Sequence, residues 1–206
     1  IPAILCGLPS LMENPFINSI YANNAQTSFA TILGKEGYST AFFHGGMNGS
    51  MNFDDWAPSA GYSQYFGRNE YGNDADFDGF WGIWDEPYLQ YAVKKMGQLK
   101  APFHSAIFTL SSHHPYFVPE KYKGKFKKGP LENSESIQYA DYALNLFFNE
   151  AKKQSWYNNT FFVLCADHAS LSDHRCFKNV VGNQSIPILF FKPDNSLAAK
   201  NKAVMS

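Results

Sequence analysis

Strong charge is what this sequence most lacks. Seventeen Lys and Arg stand against eighteen Asp and Glu, a net charge of −1 across 206 residues. Without a basic excess there is no electrostatic footprint for nucleic acid or for an anionic membrane surface. Long hydrophobic runs are also missing, and none approaches the roughly 18 apolar residues that a spanning helix needs. The first residues show no basic stretch followed by an apolar one, so no signal peptide is visible. Cysteine is scarce: Cys6, Cys165 and Cys176 are an odd number with no CxxC spacing. That argues against both a disulfide framework and a thiolate zinc site, and Cys165, inside an apolar run, reads as a small buried residue. What is present is an ordinary globular composition, 45% apolar and 17% charged, with ample length for a core. Aromatics are the exception at 17%, with 19 Phe and 12 Tyr. Such richness suits either a thick core or a groove facing sugars or lipids.

Along the chain, strand-like and helix-like segments alternate. "IPAILCGLPS" opens on apolar residues, with Pro2 suited to a first helical turn and Gly7 to its stop. "SFATILGKEG" reads as a short helix presenting Phe29, Ile32 and Leu33, closed at Gly34 or Gly37, and "STAFFH" as a strand ending at His44. "GGMNGSMN" is a loop by composition. "DEPYLQYAVKKMGQL" starts a helix at Asp85 or Glu86, where acids and Pro87 favour a helix N-terminus. "PFHSAIFTLSS" reads as a strand. In "NSESIQYADYALNLFFNEAKKQS" the recurrence of Ile137, Ala140, Leu144, Phe147 and Ala151 predicts the strongest helix, with Ser134 at its cap. The turn-rich "WYNN" leads into "FFVLCADH", and "SIPILFFKPDN" supplies a last strand. Continuous apolar strands separated by helices predict an α/β fold, a mostly parallel sheet with helices on both faces. No repeat or second domain is visible, so residues 1–206 read as one domain. Both ends stop without a closing element, as in a segment of a longer polypeptide.

Chemistry gathers where the strands run out. In open α/β sheets ligands bind beyond the carboxyl ends of the strands, and His44, His113, His114, Asp167 and His168 all come after apolar runs. If those strands are parallel, their ends share one edge. Asp167 and His168 offer an oxygen and a nitrogen ligand for Zn²⁺ or Mn²⁺; the plainer reading is a turn cap. In "SSHHPYF", Pro115 biases His114 towards an extended conformation. A histidine there is either incidental or a donor to a phosphate or sulfate oxygen. "HGGMNGSMNF" is either a flexible connection or an anion site in which His44, Asn48 and Asn52 surround exposed backbone N–H groups. It is not a Walker loop. Asp74, Asp76 and Asp78 alternate, but Phe77, Gly79 and the missing twelfth-position glutamate break the EF-hand pattern. These acids read as turn caps or as the rim of a groove beside Trp81 and Trp84, where a sugar or glycerol chain could stack.

Taken together, "IPAILCGLPSL", "TAFFHGGMNGSMNFDDWA", "GRNEYGNDADFDGFWGIWDEP", "IFTLSSHHPYF" and "FFVLCADH" resemble the sulfatase-like family that includes lipoteichoic acid synthases, within the alkaline phosphatase superfamily. The resemblance runs from residue 1 to about residue 192, with the motifs in the family's order. It implies an alkaline phosphatase-like fold and a metal-dependent enzyme acting on an anionic phosphate or sulfate ester, a lipid head group or a glycan sulfate. In such enzymes a Thr, Ser or formylglycine attacks phosphorus or sulfur, assisted by a divalent metal ion (Mn, Mg, Ca or Zn). Asp167 and His168 match the family's late metal pair, and His113 matches the histidine that holds the head group. His44 falls in the "HG" motif as a support of the pocket, with His114 and Asn52 beside these positions as further substrate-side candidates. His174 lies near another family histidine, out of register. The family's nucleophile and its early acidic ligand lie upstream of the segment matching "IPAIL". Thr27, Thr31, Thr40, Thr109 and Thr160 do not occupy the nucleophile's motif, so no catalytic residue is assigned within the chain. Where the synthases carry Trp-Asn-Arg, this chain reads Met51-Asn52-Phe53. The missing arginine removes a bidentate phosphate contact and counts against glycerol-phosphate specificity. The expectation is a cell-envelope enzyme transferring phosphoglycerol or phosphoethanolamine, or hydrolysing a sulfate or phosphate ester, tied to the membrane by helices that precede this segment. The alternatives are a glycan-binding module on the same fold and a phosphomutase-type enzyme.

Overall fold

A computed structural model describes residues 1–9 and 13–197, and the chain divides into two compact units, the first running to Phe147 and the second starting at Phe148. The first unit opens with α1 (Pro2–Cys6), which has Pro2 at its first position and ends at Gly7 in the left-handed conformation, φ 64°. Helix α2 (Phe29–Lys35) starts from a reciprocal cap: Ser28 accepts from the Thr31 N–H while Thr31 accepts from the Ser28 N–H. Its apolar side chains are arranged contrary to the expected pattern. Phe29 and Ile32 are exposed and the small Ala30 faces the core, because only an alanine lets the helix backbone lie close against the neighbouring layer.

Strand β1 (Ser39–His44) is the axis of this unit. It pairs in parallel with β2 (Gln64–Phe66) on one side and β3 (Phe103–Phe108) on the other, giving the order β2-β1-β3. Residues of both parities on β1 are buried, as a doubly covered strand requires. Phe42 packs against Phe53 and Trp56 of α3 (Phe53–Ser59). Phe43, pointing the other way, stacks on Phe66, which in turn meets Tyr91 of α5 (Asp85–Met96). Each such fully buried ring contributes about 1.5–3 kcal/mol of transfer free energy. Sequence periodicity misses β2, α3 and the single turn α4 (Arg68–Tyr71), because elements this short show too little of a period.

The last long helix, α6 (Ser134–Ala151), forms where expected; Phe147 and Ala151 are buried as the pattern predicts, while the stripe ahead of them is turned by one residue. Ser136, Tyr139, Ala143 and Phe147 are buried, whereas Ile137 is 48% exposed. Aromatic bulk decides this register, since Tyr139 fits against Trp84 and Tyr122, and its hydroxyl accepts the Glu86 N–H of α5.

In the second unit, β4 (Phe162–Cys165) and β5 (Ile188–Phe191) form a two-stranded antiparallel pair, Phe162 opposite Phe191 and Cys165 opposite Ile188. The expectation of a mostly parallel sheet therefore holds for β1–β3 and not for this pair. The connecting residues 166–187 contain two 3-10 turns, Arg175–Phe177 and Gly182–Gln184, and no α-helix; a parallel return needs a longer helical crossover. One face of the ribbon packs Phe162 and Phe191 on Phe148. The other leaves Val163, Ile188 and Phe190 about half exposed. None of the helices among the described residues is long and apolar enough to cross a membrane.

Candidate functional site

The ends of β1 and β3 lie side by side, His44 in register with Phe108. Beyond β1 the chain passes through Gly45 and Gly46, where it meets the segment before α5. Ile83 donates its N–H to the Gly45 carbonyl, and Gly46 bridges Gly82. Both glycines at that bridge are required by close approach. A Cβ on Gly46 would lie 2.5 Å from the His44 ring, and one on Gly82 would lie 2.5 Å from the Gly45 carbonyl oxygen.

His44 is sealed in, 1% exposed, stacked on Phe108 and tilted against Phe53. Its Nδ1 is 3.2 Å from the Tyr65 hydroxyl. Burial lowers its pKa to about 4, against a weaker upward pull from Asp54, so the ring is neutral at ordinary pH. The other donors of this loop are also engaged by protein groups. Asn52, in the left-handed conformation, donates Nδ2 to the Ile17 carbonyl at 2.9 Å. Asn48 accepts from the Asn69 N–H and donates to Glu70. The loop read as an anion site thus spends its side-chain donors on holding itself in place.

The loop after β3 carries His113 and His114, both exposed. Its first turn is held by a residue that the sequence disclosed only as a helix start. Asp85, buried at the first position of α5, accepts the N–H groups of Leu110 (2.9 Å) and Ser111 (3.1 Å) through Oδ1, while its own N–H donates to the Ser111 hydroxyl (2.9 Å). Burial raises the Asp85 pKa and these hydrogen bonds oppose the rise. His113 then closes the turn by donating its N–H to the Leu110 carbonyl. No spacing rule in the sequence ties Asp85 to residues 110–111; only folding makes them neighbours.

The His113 ring sits 4.2 Å from the Trp81 ring, with Nδ1 3.1 Å from the His114 carbonyl, and Trp81 Nε1 donates to that same carbonyl at 2.6 Å. In the neutral ring the proton therefore resides on Nδ1 and Nε2 presents a lone pair; in the imidazolium Nε2–H becomes a donor for an anion. Trp81, Trp84, Asp78 and His113 are among the residues around a shallow, open hollow. Asp78 shapes its rim, with Oδ1 accepting the N–H groups of Phe80, Trp81 and Gly82. Asp74 pairs with Arg68, and Asp76 accepts from Tyr71 and Asn73. All three acids are therefore turn and loop anchors, as the broken calcium pattern suggests.

In the second unit Asp167 and His168 come directly after β4, in a bend rather than at a helix cap, and His168 is exposed. His168 Nδ1 lies 2.7 Å from the Ala169 carbonyl. That contact places the proton on Nδ1 and frees Nε2, the arrangement that orients metal-binding histidines. Nε2 is 3.8 Å from Asp167 Oδ1, against about 3.4 Å for two ligands of one tetrahedral zinc, so a slight side-chain rotation brings both onto one cation. The chemistry of these two donors fits a divalent metal as part of a shell. Among the described residues no group of three His, Cys, Asp or Glu side chains is placed to complete one. His174 has the opposite arrangement: its Nδ1 accepts the Cys176 N–H at 3.3 Å, so in the neutral ring the proton sits on Nε2 and neither nitrogen is set to ligate.

A parallel α/β sheet with polar groups beyond its strand ends defines a broad class of ligand-binding and catalytic folds. Comparison with known proteins narrows it: the sulfatase family model matches residues 1–206, and the chain belongs to that family. It is 28% identical over 188 residues to lipoteichoic acid synthase 1 of Bacillus subtilis (strain 168), an alignment covering 83% of this chain and 29% of that protein. Among solved structures it resembles an alkaline phosphatase superfamily protein from Vibrio parahaemolyticus, with TM-score 0.78 and 29% identity, covering 93% of this chain and 47% of that one. The lipoteichoic acid synthase LtaP from Listeria monocytogenes shares the fold, with TM-score 0.72 and 21% identity over 88% of this chain and 48% of that one. The chain thus spans under a third of its curated relative and about half of the solved chains.

Proposed function

We propose that residues 1–206 are part of one sulfatase-like catalytic domain whose whole protein transfers or hydrolyses a phosphate or sulfate ester at the outer face of a cell membrane. Transfer of phosphoglycerol or phosphoethanolamine and hydrolysis of a phosphate or sulfate ester are the candidate reactions, supported by membership of the sulfatase family and similarity to a lipoteichoic acid synthase. The observation that carries this reading is the Asp167–His168 pair, with His168 Nδ1 tied to a carbonyl and Nε2 left to ligate. Those two residues would hold a divalent cation, Mn, Mg, Ca or Zn, together with donors from elsewhere in the protein. Such a cation lowers the pKa of a hydroxyl nucleophile and offsets charge on the ester's equatorial oxygens. His113 would hold the anionic group through Nε2–H of its imidazolium, on a loop that Asp85 fixes before substrate arrives. His114 contributes its carbonyl to that loop, whereas His44 and Asn52 support the substrate side from behind. The nucleophile, the membrane attachment and the remaining metal ligands belong to the rest of the protein.

The test is turnover of bis-nitrophenyl phosphate and nitrophenyl sulfate by the full-length protein, with chelator and with metal restored. Chelation is expected to abolish release of nitrophenol, Mn²⁺ or Zn²⁺ to restore it, and His168→Ala to lower it by about 10²-fold or more, at or beyond the losses seen on removing outer-shell partners. Turnover indifferent to both chelation and His168→Ala would overturn the reading. Turnover by residues 1–206 alone would refute the assignment of the nucleophile to the remainder.

A further inference from the structure

The near-even balance of charge over the whole chain conceals one local excess. Residues 121–128, KYKGKFKK, hold five of the seventeen Lys and Arg and no acid, so the rest of the chain has twelve against eighteen Asp and Glu. All five lysines are exposed. Lys121 pairs with Glu86 at 2.8 Å and Lys123 with Glu120 at 3.1 Å. Lys125, Lys127 and Lys128 meet no carboxylate within ion-pair distance among the described residues. A face that serves solubility alone interleaves both signs; here one sign is gathered on an otherwise acidic chain.

The run is fixed to α6, yet not through its charges. Gly124 turns the chain in the left-handed conformation, φ 78°. Gln138 of α6 clamps Lys127, accepting its N–H at 3.2 Å and donating to its carbonyl at 2.8 Å. The Lys125 ammonium lies 3.4 Å from the centre of the Tyr142 ring and 4.5 Å from that of Tyr122, so aromatic faces hold it. Lysine is a strongly hydrated point charge without the fork that grips a single phosphate. A fixed row of lysines therefore suits a diffuse layer of anions, not one bound ion.

Apolar groups accompany the row. Phe117, four residues before Lys121, is 54% exposed and meets Phe80, 60% exposed, edge to face at 5.5 Å. Phe117 lines the same hollow as Trp84, and Trp84 reaches Tyr122 through Tyr139, each ring pair 5.8 Å apart. A soluble anionic polymer is attracted by the lysines but gains nothing from two exposed phenyl rings. The surface of a bilayer uses both: anionic head groups meet the ammonium groups, while aromatic rings settle at the boundary of the acyl chains.

We propose that residues 121–128, with Phe80 and Phe117 beside them, form a surface that docks the first unit onto an anionic phospholipid membrane. The surface is separate from the ester chemistry and needs no turnover. Its consequence is that the His113 loop, which leads into these residues, lies close to the bilayer.

The experiment is lysine acylation of the full-length protein with bilayers of phosphatidylcholine, or of phosphatidylcholine mixed with phosphatidylglycerol, read residue by residue by peptide mass mapping. Acylation of Lys123, Lys127 and Lys128 is expected to slow about fivefold or more on the anionic bilayer, the effect of roughly one basic contact. It should recover at about 1 M salt, where the Debye length is about 3 Å. Lys35 and Lys94, exposed on α2 and α5, should react equally on both bilayers. Phe80→Ala with Phe117→Ala, both at exposed positions, should weaken protection by the anionic bilayer and leave unchanged any protection by soluble polyphosphate. Lys127→Gln with Lys128→Gln should weaken both, as read at Lys123, with the circular dichroism unaltered. Protection that persists in a protein without ester turnover upholds the surface and removes only the enzymatic reading. Equal acylation on the two bilayers, or equal protection of Lys35 and Lys94, would overturn the proposal. Bilayer protection indifferent to the phenylalanine substitutions would overturn it in favour of an anionic polymer.

Discussion

Two strand ends in this protein obey one sequence logic and meet opposite fates. β1 and β4 are both short apolar strands; His44 is the last residue of the first, and His168 follows the last residue of the second by three positions. At the first, His44 is sealed between Phe53 and Phe108 and made neutral by burial. At the second, His168 stands 65% exposed beside Asp167 with Nε2 open. The residues after each histidine make the difference. "HGG" removes two side chains and lets the backbone fold over the ring at the Gly46–Gly82 bridge, whereas "DHAS" keeps a Cβ on Ala169 and turns the imidazole outward by bonding Nδ1 to that residue's carbonyl. A histidine after a strand is thus a wedge or a ligand according to the room its successors leave.

The largest effect that sharpens this contrast is acid lability of the first unit. His44 has a folded pKa of about 4, below the roughly 6.5 of an unfolded histidine. The unfolded chain therefore takes up the proton first as pH falls. The stability associated with a neutral His44 is complete above about pH 6.5 and is lost progressively towards pH 4, to a limit of roughly 3 kcal/mol. Urea unfolding of wild type and His44→Phe across that range should show a difference in stability that shifts in favour of the phenylalanine variant as pH drops. Parallel pH profiles would show that the ring is not titrating as its burial requires.

Next in size is Gly46→Ala. The new methyl carbon would sit 2.5 Å from His44 Cε1 and 2.9 Å from Nε2, and the ring, closed in by Phe53 and Phe108, has nowhere to retreat. A loss of about 1–3 kcal/mol is expected, the usual cost of overpacking a core, measured as a lower urea midpoint at constant slope. Combining Gly46→Ala with His44→Ala should return part of that loss. Strict additivity of the two substitutions would break the account of why "HGG" seals the ring.

The same residues show how much was legible beforehand. The apolar runs of β1, β3, β4 and β5 and the acids opening α5 announced their elements, since each signal is carried by contiguous residues. The antiparallel pairing of β4 with β5 was not legible, because pairing partners are separated by the irregular residues 166–187. In α6 the pattern of Ile137, Ala140 and Leu144 pointed one residue away from the buried face, since Tyr139 and Ser136 read as polar yet are fully buried. The resemblance drew attention to His113 and Asp167–His168, and the structure adds their tautomers. Asp85 could be read only as a helix start, because its service to Leu110 and Ser111 spans the whole of α5 and β3. Trp81 and Trp84 carried a hint of a groove; that Phe117 joins them around one hollow required coordinates.

The smallest effect on stability belongs to His168, and its smallness is the test. An exposed imidazole held by a bond to its neighbour's carbonyl and a 3.8 Å approach to Asp167 should be replaceable by alanine within about 0.5 kcal/mol, unlike the buried His44. The same substitution should remove the metal response. Any ligand that binds only the folded state stabilises it by about 2.7 kcal/mol at a concentration 100 times its dissociation constant. Mn²⁺ or Zn²⁺ should therefore raise the melting temperature of the full-length protein by several degrees, and fail to do so in His168→Ala and in Asp167→Asn. His174→Ala is the internal control, because its Nδ1 already accepts the Cys176 N–H and its Nε2 carries the proton; it should keep the full response. A metal shift that survives His168→Ala and vanishes in His174→Ala would reverse the roles of the two rings, and with them the inference that a carbonyl at Nδ1 marks the ligand.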